Sequence, residues 1–246
     1  MKSYLKSICS NNNIRIIAVI MVAIVALTTM SLVIYDVVNA NKSVLITGKN
    51  FDKLSVDASE DINEIDIETL KKENPEIVGW LIAEGLGISE PIMQGEDNEK
   101  YLTVSFDGKS SKSGALFMDY ECAEDFSDKH TIIYGHNLVT GGMLSPLVGL
   151  KKIELFEKFK NDITIITPQR KIKLQIIASD AAPSETMRRT VNFANESDFQ
   201  NYANGVLLNS RLQSMPSNKI EKLFSLITCS YEGADYRTYI YAVESK

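Results

Sequence analysis

From Val78 onward the chain breaks into short apolar runs rich in Val, Ile, Leu, Phe and Tyr. Asn, Asp, Ser, Gly and Lys separate them. Eight such runs can be placed, at 79–83, 86–93, 114–119, 131–135, 162–167, 171–179, 223–229 and 236–243. Runs of this length between polar turns read as strands, and eight of them predict a closed or nearly closed β-barrel. Helical spacing interrupts the pattern three times. Ile62, Ile65 and Leu70 can share one side of a helix over 61–74, with Pro75 just past its end. A second helical stretch covers 144–159, with a break expected at Gly149. A third covers 196–208, where Phe199, Tyr202, Ala203 and Val206 recur at helical intervals. Ser197 and Asn195 compete to cap it. The fold class is therefore mostly β with helices, α+β. Trp80, the only tryptophan, reads as a core or helix-docking residue.

The second constraint lies at the N-terminus. Residues 16–35 hold no charge, no proline and no glycine. Twenty helical residues at about 1.5 Å each span about 30 Å, the thickness of a bilayer core. Lys2, Lys6 and Arg15 precede the run and Asp36 follows it. The positive-inside rule then puts residues 1–15 in the cytoplasm and the rest outside. The expected order is a tail (1–15), a single transmembrane anchor (16–35), an extracellular tether (36–60) and a catalytic domain (61–246). A signal peptide cut near Val38-Asn39-Ala40 is the alternative. Its apolar core usually spans about 7–15 residues, shorter than this run.

Charge and cysteine usage narrow the function. The net charge is −6, and because residues 1–35 carry +3 the remainder carries −9. No basic face is evident, which argues against nucleic acid as a partner. Of three cysteines, Cys9 precedes the anchor, leaving Cys122 and Cys229 outside. There is no paired spacing of a disulfide framework, although a Cys122–Cys229 bond stays open. Carboxylates flank Cys122 in Glu121-Cys122-Ala123-Glu124, which raises a thiol's pKa and reads as an inert loop thiol.

Cys229 ends the strand Leu223–Cys229, whose two apolar faces mark it as central. A lone cysteine there is usually a small buried hydrophobe, but two other residues change the reading. His136 follows Tyr134-Gly135, where glycine permits a sharp turn into a cleft. Arg237 shares a strand face with Tyr239 and Tyr241 and offers a rigid, permanently charged donor fork. Thiol, imidazole and guanidinium together suit acyl transfer: thiolate attack, proton movement and oxyanion stabilisation. The Ser230 N–H is the expected second donor. His130, between Lys129 and Thr131, reads as a surface residue. A metal site on His130 and His136 matches no common ligand spacing.

The ordered motifs resemble class B sortases from about Asn74 to the C-terminus. They are Asn74-Pro75-Glu76-Ile77-Val78-Gly79-Trp80-Leu81, Asp97-Asn98-Glu99-Lys100-Tyr101-Leu102, Lys112 to Tyr120, Tyr134-Gly135-His136-Asn137, Leu226-Ile227-Thr228-Cys229 and Arg237. The resemblance implies an eight-stranded sortase barrel and cysteine transpeptidation at a Gram-positive cell surface. It casts Cys229 as nucleophile, His136 as general acid/base and Arg237 as oxyanion or carbonyl contact. Asn98 and Leu102 map by similarity onto a helix near the substrate groove. Ile227, Thr228 and Ser230 flank the nucleophile as substrate contacts. Ile227 departs from the serine common at that position, so the recognised peptide can differ from the usual Asn-Pro-x-Thr-x type. Implied partners are a sorting-signal peptide and a peptidoglycan cross-bridge or precursor amine, with no metal or cofactor. A pilin-polymerising sortase with a lysine acceptor, a thiol peptidase and a non-catalytic tethered binding module are the rival readings.

Overall fold

The computed structural model describes residues 16, 18–31, 65–214, 216 and 218–245. The chain divides into two units, Met1–Leu54 and Ser55–Lys246. In the first, residues 18–31 are helical and exposed. Among the described residues, no helix is long and apolar enough to cross a membrane. Residues 17 and 32–35 of the expected anchor, the tail 1–15, the tether 36–60 and the alternative cleavage site lie outside the described residues.

Among the described residues, the second unit carries nine strands: β1 (Ile77–Ala83), β2 (Ile88–Met93), β3 (Leu116–Met118), β4 (His130–Tyr134), β5 (Ile163–Ile166), β6 (Lys171–Pro183), β7 (Leu212–Gln213), β8 (Leu223–Cys229) and β9 (Tyr236–Glu244). They pair in the order β5-β1-β2-β3-β4-β8-β9-β6-β7, and β5 also pairs with β6. That last pairing closes eight strands into a mixed barrel, leaving β7 as a short flank on β6. Pairings β2–β3 and β4–β8 are parallel and the others antiparallel. All eight expected strands are present. The ninth, two residues long, is too short to leave a periodic signal in the sequence.

Local chemistry explains the boundaries. β1 is buried along its whole length, as expected where closure covers one face and neighbouring elements the other. β6 outruns the expected 171–179 because its ladder with β9 continues to Pro183↔Tyr236. Asp180 interrupts that apolar run, but Arg188 lies 3.0 Å from its carboxylate and compensates the burial. The helix Ile67–Glu73 is capped by Asp66, whose side chain accepts from the Thr69 N–H. It stops before Pro75, which excludes the helical conformation from the residue preceding it. Residues 61–64 of the longer helix expected from the sequence lie outside the described residues. The stretch at 144–159 forms a 3₁₀ segment Ser145–Lys151 and an α-helix Ile153–Phe159. Its break falls at extended Lys152, not at Gly149. The helix Glu196–Leu208 has the expected bounds, and Asn195 rather than Ser197 caps it by accepting from the Asp198 N–H.

Candidate active site

Strand register pairs two of the candidate residues, and the neighbouring β4 leads into the third. Cys229 on β8 lies directly opposite Arg237 on β9, so their side chains share a face. In the parallel β4–β8 ladder, Tyr134 is level with Ile227. The ladder continues one bond further, from the Gly135 N–H to the Ile227 carbonyl at 3.2 Å. Just beyond it, the side chain of Asn137, the residue after His136, donates to the Cys229 carbonyl at 3.0 Å. Cys229 and Arg237 thus form a pair at the ends of β8 and β9, with His136 two residues past the end of β4. The row beneath the pair is Tyr134, Ile227 and Tyr239.

Each member is held differently. Cys229 is a free, partly exposed thiol, and Cys122 is also free, so no disulfide joins them. The Nε2 of His136 lies 2.8 Å from the Leu102 carbonyl oxygen. A carbonyl only accepts, so Nε2 carries the proton in the neutral ring. Nδ1 is then left as the acceptor. Arg237 donates to the Tyr236 carbonyl at 3.2 Å and pairs with Asp235 at 3.1 Å. These bonds use two of the five guanidinium N–H groups.

The Leu102 carbonyl is itself built in. It ends the 3₁₀ turn Lys100–Leu102. Glu76 anchors that turn, accepting from the Tyr101 hydroxyl and from Lys100 Nζ at 2.5 Å. Gly114, with φ +58°, lies against the turn. A Cβ there would come 2.2 Å from the Tyr101 carbonyl oxygen and 3.0 Å from that of Leu102. Gly135 acts differently from the sharp turn expected of it. Its φ is not positive, but a Cβ would meet Leu116 at 2.3 Å and Leu144 at 2.8 Å. Glycine there permits close packing, not a left-handed bend.

The expected substrate contacts separate. Leu102 is 40% exposed and sits beside His136. Ile227 shares the Cys229 face but is only 4% exposed. Thr228 faces the other way and is buried, and its hydroxyl is unpaired, so it does not line the groove beside the thiol. Ser230 is not the free second donor expected: its N–H is given to the Tyr236 carbonyl at 2.9 Å, closing the β8–β9 loop. Asn98 precedes the 3₁₀ turn and accepts from the Tyr120 N–H at 3.1 Å, while its amide nitrogen is buried and unpaired. Its present role is to join that loop to the end of β3.

His130 corrects the surface reading outright. It is fully buried, with Nδ1 2.7 Å from the Thr190 carbonyl and Nε2 2.7 Å from the Ser225 hydroxyl. Burial pushes its pKa down to about 4, so the ring is neutral. Polar sequence neighbours hid this position, because Lys129 turns outward where β4 begins. Cys122 lies nearby, its Sγ 3.6 Å from the His130 carbonyl oxygen. Burial first, then the carboxylates of Asp119, Asp128 and Glu121, pushes that thiol up to about 12. This second cysteine–histidine neighbourhood is sealed, with the thiol protonated and the imidazole neutral, and is unsuited to nucleophilic work.

Sequence reasoning missed the paired arginines that brace the second row. Arg189 donates to the Tyr134 hydroxyl at 2.8 Å, and that hydroxyl donates to buried Asp119 at 2.7 Å. Arg188 lies over the Tyr239 ring at 4.8 Å and pairs with Asp180. Two adjacent arginines in the four-residue 3₁₀ helix Thr186–Arg189 give no periodic signal, and only the fold shows which tyrosines they meet.

No family model matches the chain. Among curated proteins, sortase B of Staphylococcus aureus is 27% identical over 163 residues, covering 66% of each chain. Sortase B of Listeria monocytogenes is 39% identical over 82 residues, a third of each chain. The aligned regions thus span just under two thirds of the first relative's length and a third of the second's. Among solved structures, a Staphylococcus aureus sortase B–substrate complex matches with a TM-score of 0.68 at 26% identity. That match covers 73% of this chain and 84% of that one. A sortase B complexed with triglycine matches with a TM-score of 0.67 at 26% identity, covering 73% and 85%.

Proposed function

We propose that this chain, a class B sortase in sequence and fold, is a cysteine transpeptidase acting on C-terminal sorting signals. The observation that carries the reading is Cys229 paired with Arg237 at the ends of β8 and β9, with the segment that holds His136 bonded to the Cys229 carbonyl through Asn137. Cys229 Sγ attacks the peptide carbonyl after a threonine, in a signal of the Asn-Pro-x-Thr-x kind. Arg237 donates to the oxygen that becomes negative. His136 takes the Cys229 thiol proton and passes it to the departing amine, which leaves a thioester on Cys229. The Nε2 bond to Leu102 makes Nδ1 the nitrogen that exchanges this proton. An amine of the peptidoglycan cross-bridge or its precursor then attacks, its proton passes back through His136, and the thiol is released.

Residues 16–35 serve as a single-pass anchor, with residues 1–15 cytoplasmic, 36–60 a tether and the catalytic domain outside the cell. The uncharged run and the three cations before it support this. Two relatives support the partners by name, one solved with substrate and one with triglycine.

The test incubates the full chain with a sorting-peptide library and several amines, and identifies products by mass. The expected product is the N-terminal fragment joined to an amine. Hydrolysis alone, whatever amine is present, indicates a thiol peptidase. A preferred lysine side chain on a protein acceptor indicates a polymerase. Full function of Cys229→Ala would leave a binding module and end the enzymatic reading.

A further inference from the structure

His136 and Cys229 come from two chain segments that part company near their level. The Gly135 N–H to Ile227 carbonyl bond is the last main-chain bond between the end of β4 and β8. In a continued parallel ladder, the Asn137 N–H would reach the Cys229 carbonyl two residues on. Instead the Asn137 side chain takes that place, its Nδ2 donating to the Cys229 carbonyl oxygen at 3.0 Å. A second bond runs the opposite way, from the Tyr231 hydroxyl to the Asn137 carbonyl oxygen at 2.9 Å. A bridge between Asn137 and Met143 closes the Gly141-Gly142 loop and fixes the Asn137 main chain.

We propose that Asn137 and Tyr231 are positioning residues for the Cys229–His136 pair, a reciprocal staple that sets the separation of thiol and imidazole. Asn137 is next to His136 in the chain, and its side chain holds the carbonyl of Cys229 itself. Any drift of one strand end relative to the other stretches one of these two bonds. The carboxamide suits this post because it donates to a carbonyl without adding charge beside the thiol. A main-chain bond would pin the whole loop to the strand. A side-chain bond instead leaves the 138–142 segment free to follow its own turns while the separation stays fixed. Neither residue is needed to touch substrate. Proton exchange between sulfur and nitrogen falls steeply with separation, so the staple acts on chemistry more than on binding. The inference rests on the assignment of Cys229 and His136 made above.

The test uses the full chain and its Asn137→Ala, Asn137→Gln, Tyr231→Phe and Asn137→Ala/Tyr231→Phe variants. Peptide turnover, thermal unfolding and the pH dependence of Cys229 alkylation by iodoacetamide are measured on each. Asn137→Ala is expected to lower kcat about ten- to a hundredfold, with KM within about twofold. It also shifts the alkylation profile, a readout that overall stability does not move. Asn137→Gln, which keeps the donor on a longer stem, recovers part of the loss. The double variant loses less than the product of the two single losses, because both act on one gap. Wild-type kcat and an unchanged alkylation profile in Asn137→Ala overturn the proposal. So does a loss that follows unfolding alone, with that profile unchanged. The profile reports the thiol without turnover, so failure of the staple is distinguishable from failure of the transpeptidase reading, which Cys229→Ala tests.

Discussion

Gly114→Ala is the sharpest local test of how His136 is held. The added Cβ would start 2.2 Å from the Tyr101 carbonyl oxygen, where real Cβ atoms keep at least 3.0 Å. The turn Lys100–Leu102 must therefore retreat by about 0.8 Å, because the obstacle is main chain and cannot rotate away. If the Leu102 carbonyl moves with it, its bond to His136 stretches from 2.8 Å to as much as about 3.6 Å, beyond hydrogen-bonding range. The ring then loses the contact that fixes its tautomer. Holding alanine at φ +58° adds about 1–3 kcal/mol of strain. For a domain of this size that lowers Tm by about 2–4 °C per kcal/mol. The expected result is a Tm drop of about 2–12 °C. Below the new Tm, kcat falls about ten- to a hundredfold and KM hardly changes. Peptide turnover at a temperature where both proteins are folded separates the two effects. Wild-type kcat in a destabilised Gly114→Ala protein refutes the reasoning, since it would show that the Leu102 bond does not orient the working ring.

Three further outcomes follow from the structure. Burial raises the Glu90 carboxyl from 4.5 to about 7 against a Met143 N–H that favours the ion. The folded state therefore binds an extra proton between these values, so stability is greatest at the acid end and falls as pH rises through 7, by at most about 3 kcal/mol. Urea unfolding should find Glu90→Gln more stable than wild type at pH 8, and an identical pH slope would refute this. His130 has the opposite sign: its folded pKa of about 4 lies below 6.5, so stability is lost as pH falls from 6.5 toward 4. The two slopes oppose each other in wild type, and Glu90→Gln should expose the acid-side loss. Arg188→Met strands the buried Asp180 carboxylate and should cost about 3–5 kcal/mol by chemical denaturation. Adding Asp180→Asn should recover much of it, and a single variant of wild-type stability would show the pair to be dispensable.

Much of the barrel was legible because its strands alternate between apolar runs and polar turns. Leu223–Cys229 has the bounds read from the sequence, and so does the helix Glu196–Leu208. The errors fall where tertiary partners override local pattern. Asp180 looked like a strand end until Arg188 supplied its counter-charge. His130 looked exposed beside Lys129 until Thr190 and Ser225 closed around it. At the site, residue types and spacing pointed to Cys229, His136 and Arg237; register pairs Cys229 with Arg237, and Asn137 ties the His136 segment to the Cys229 carbonyl. The support around them was not legible. The Ser230 N–H is consumed by the Tyr236 carbonyl, and Asn137 substitutes for a missing ladder bond. Such bonds depend on where two distant segments meet, which no single stretch of sequence encodes.

The central claim is that a peptide is carried covalently on the sulfur at the end of β8. Rapid acid quenching of the full chain during turnover of a cleavable sorting peptide, followed by fragment mass analysis, tests it directly. The account predicts an acyl adduct on Cys229 that disappears when amine is added, as the amide product appears. Turnover with no adduct under any quench, or an adduct on another residue while Cys229→Ala still reacts, would contradict it.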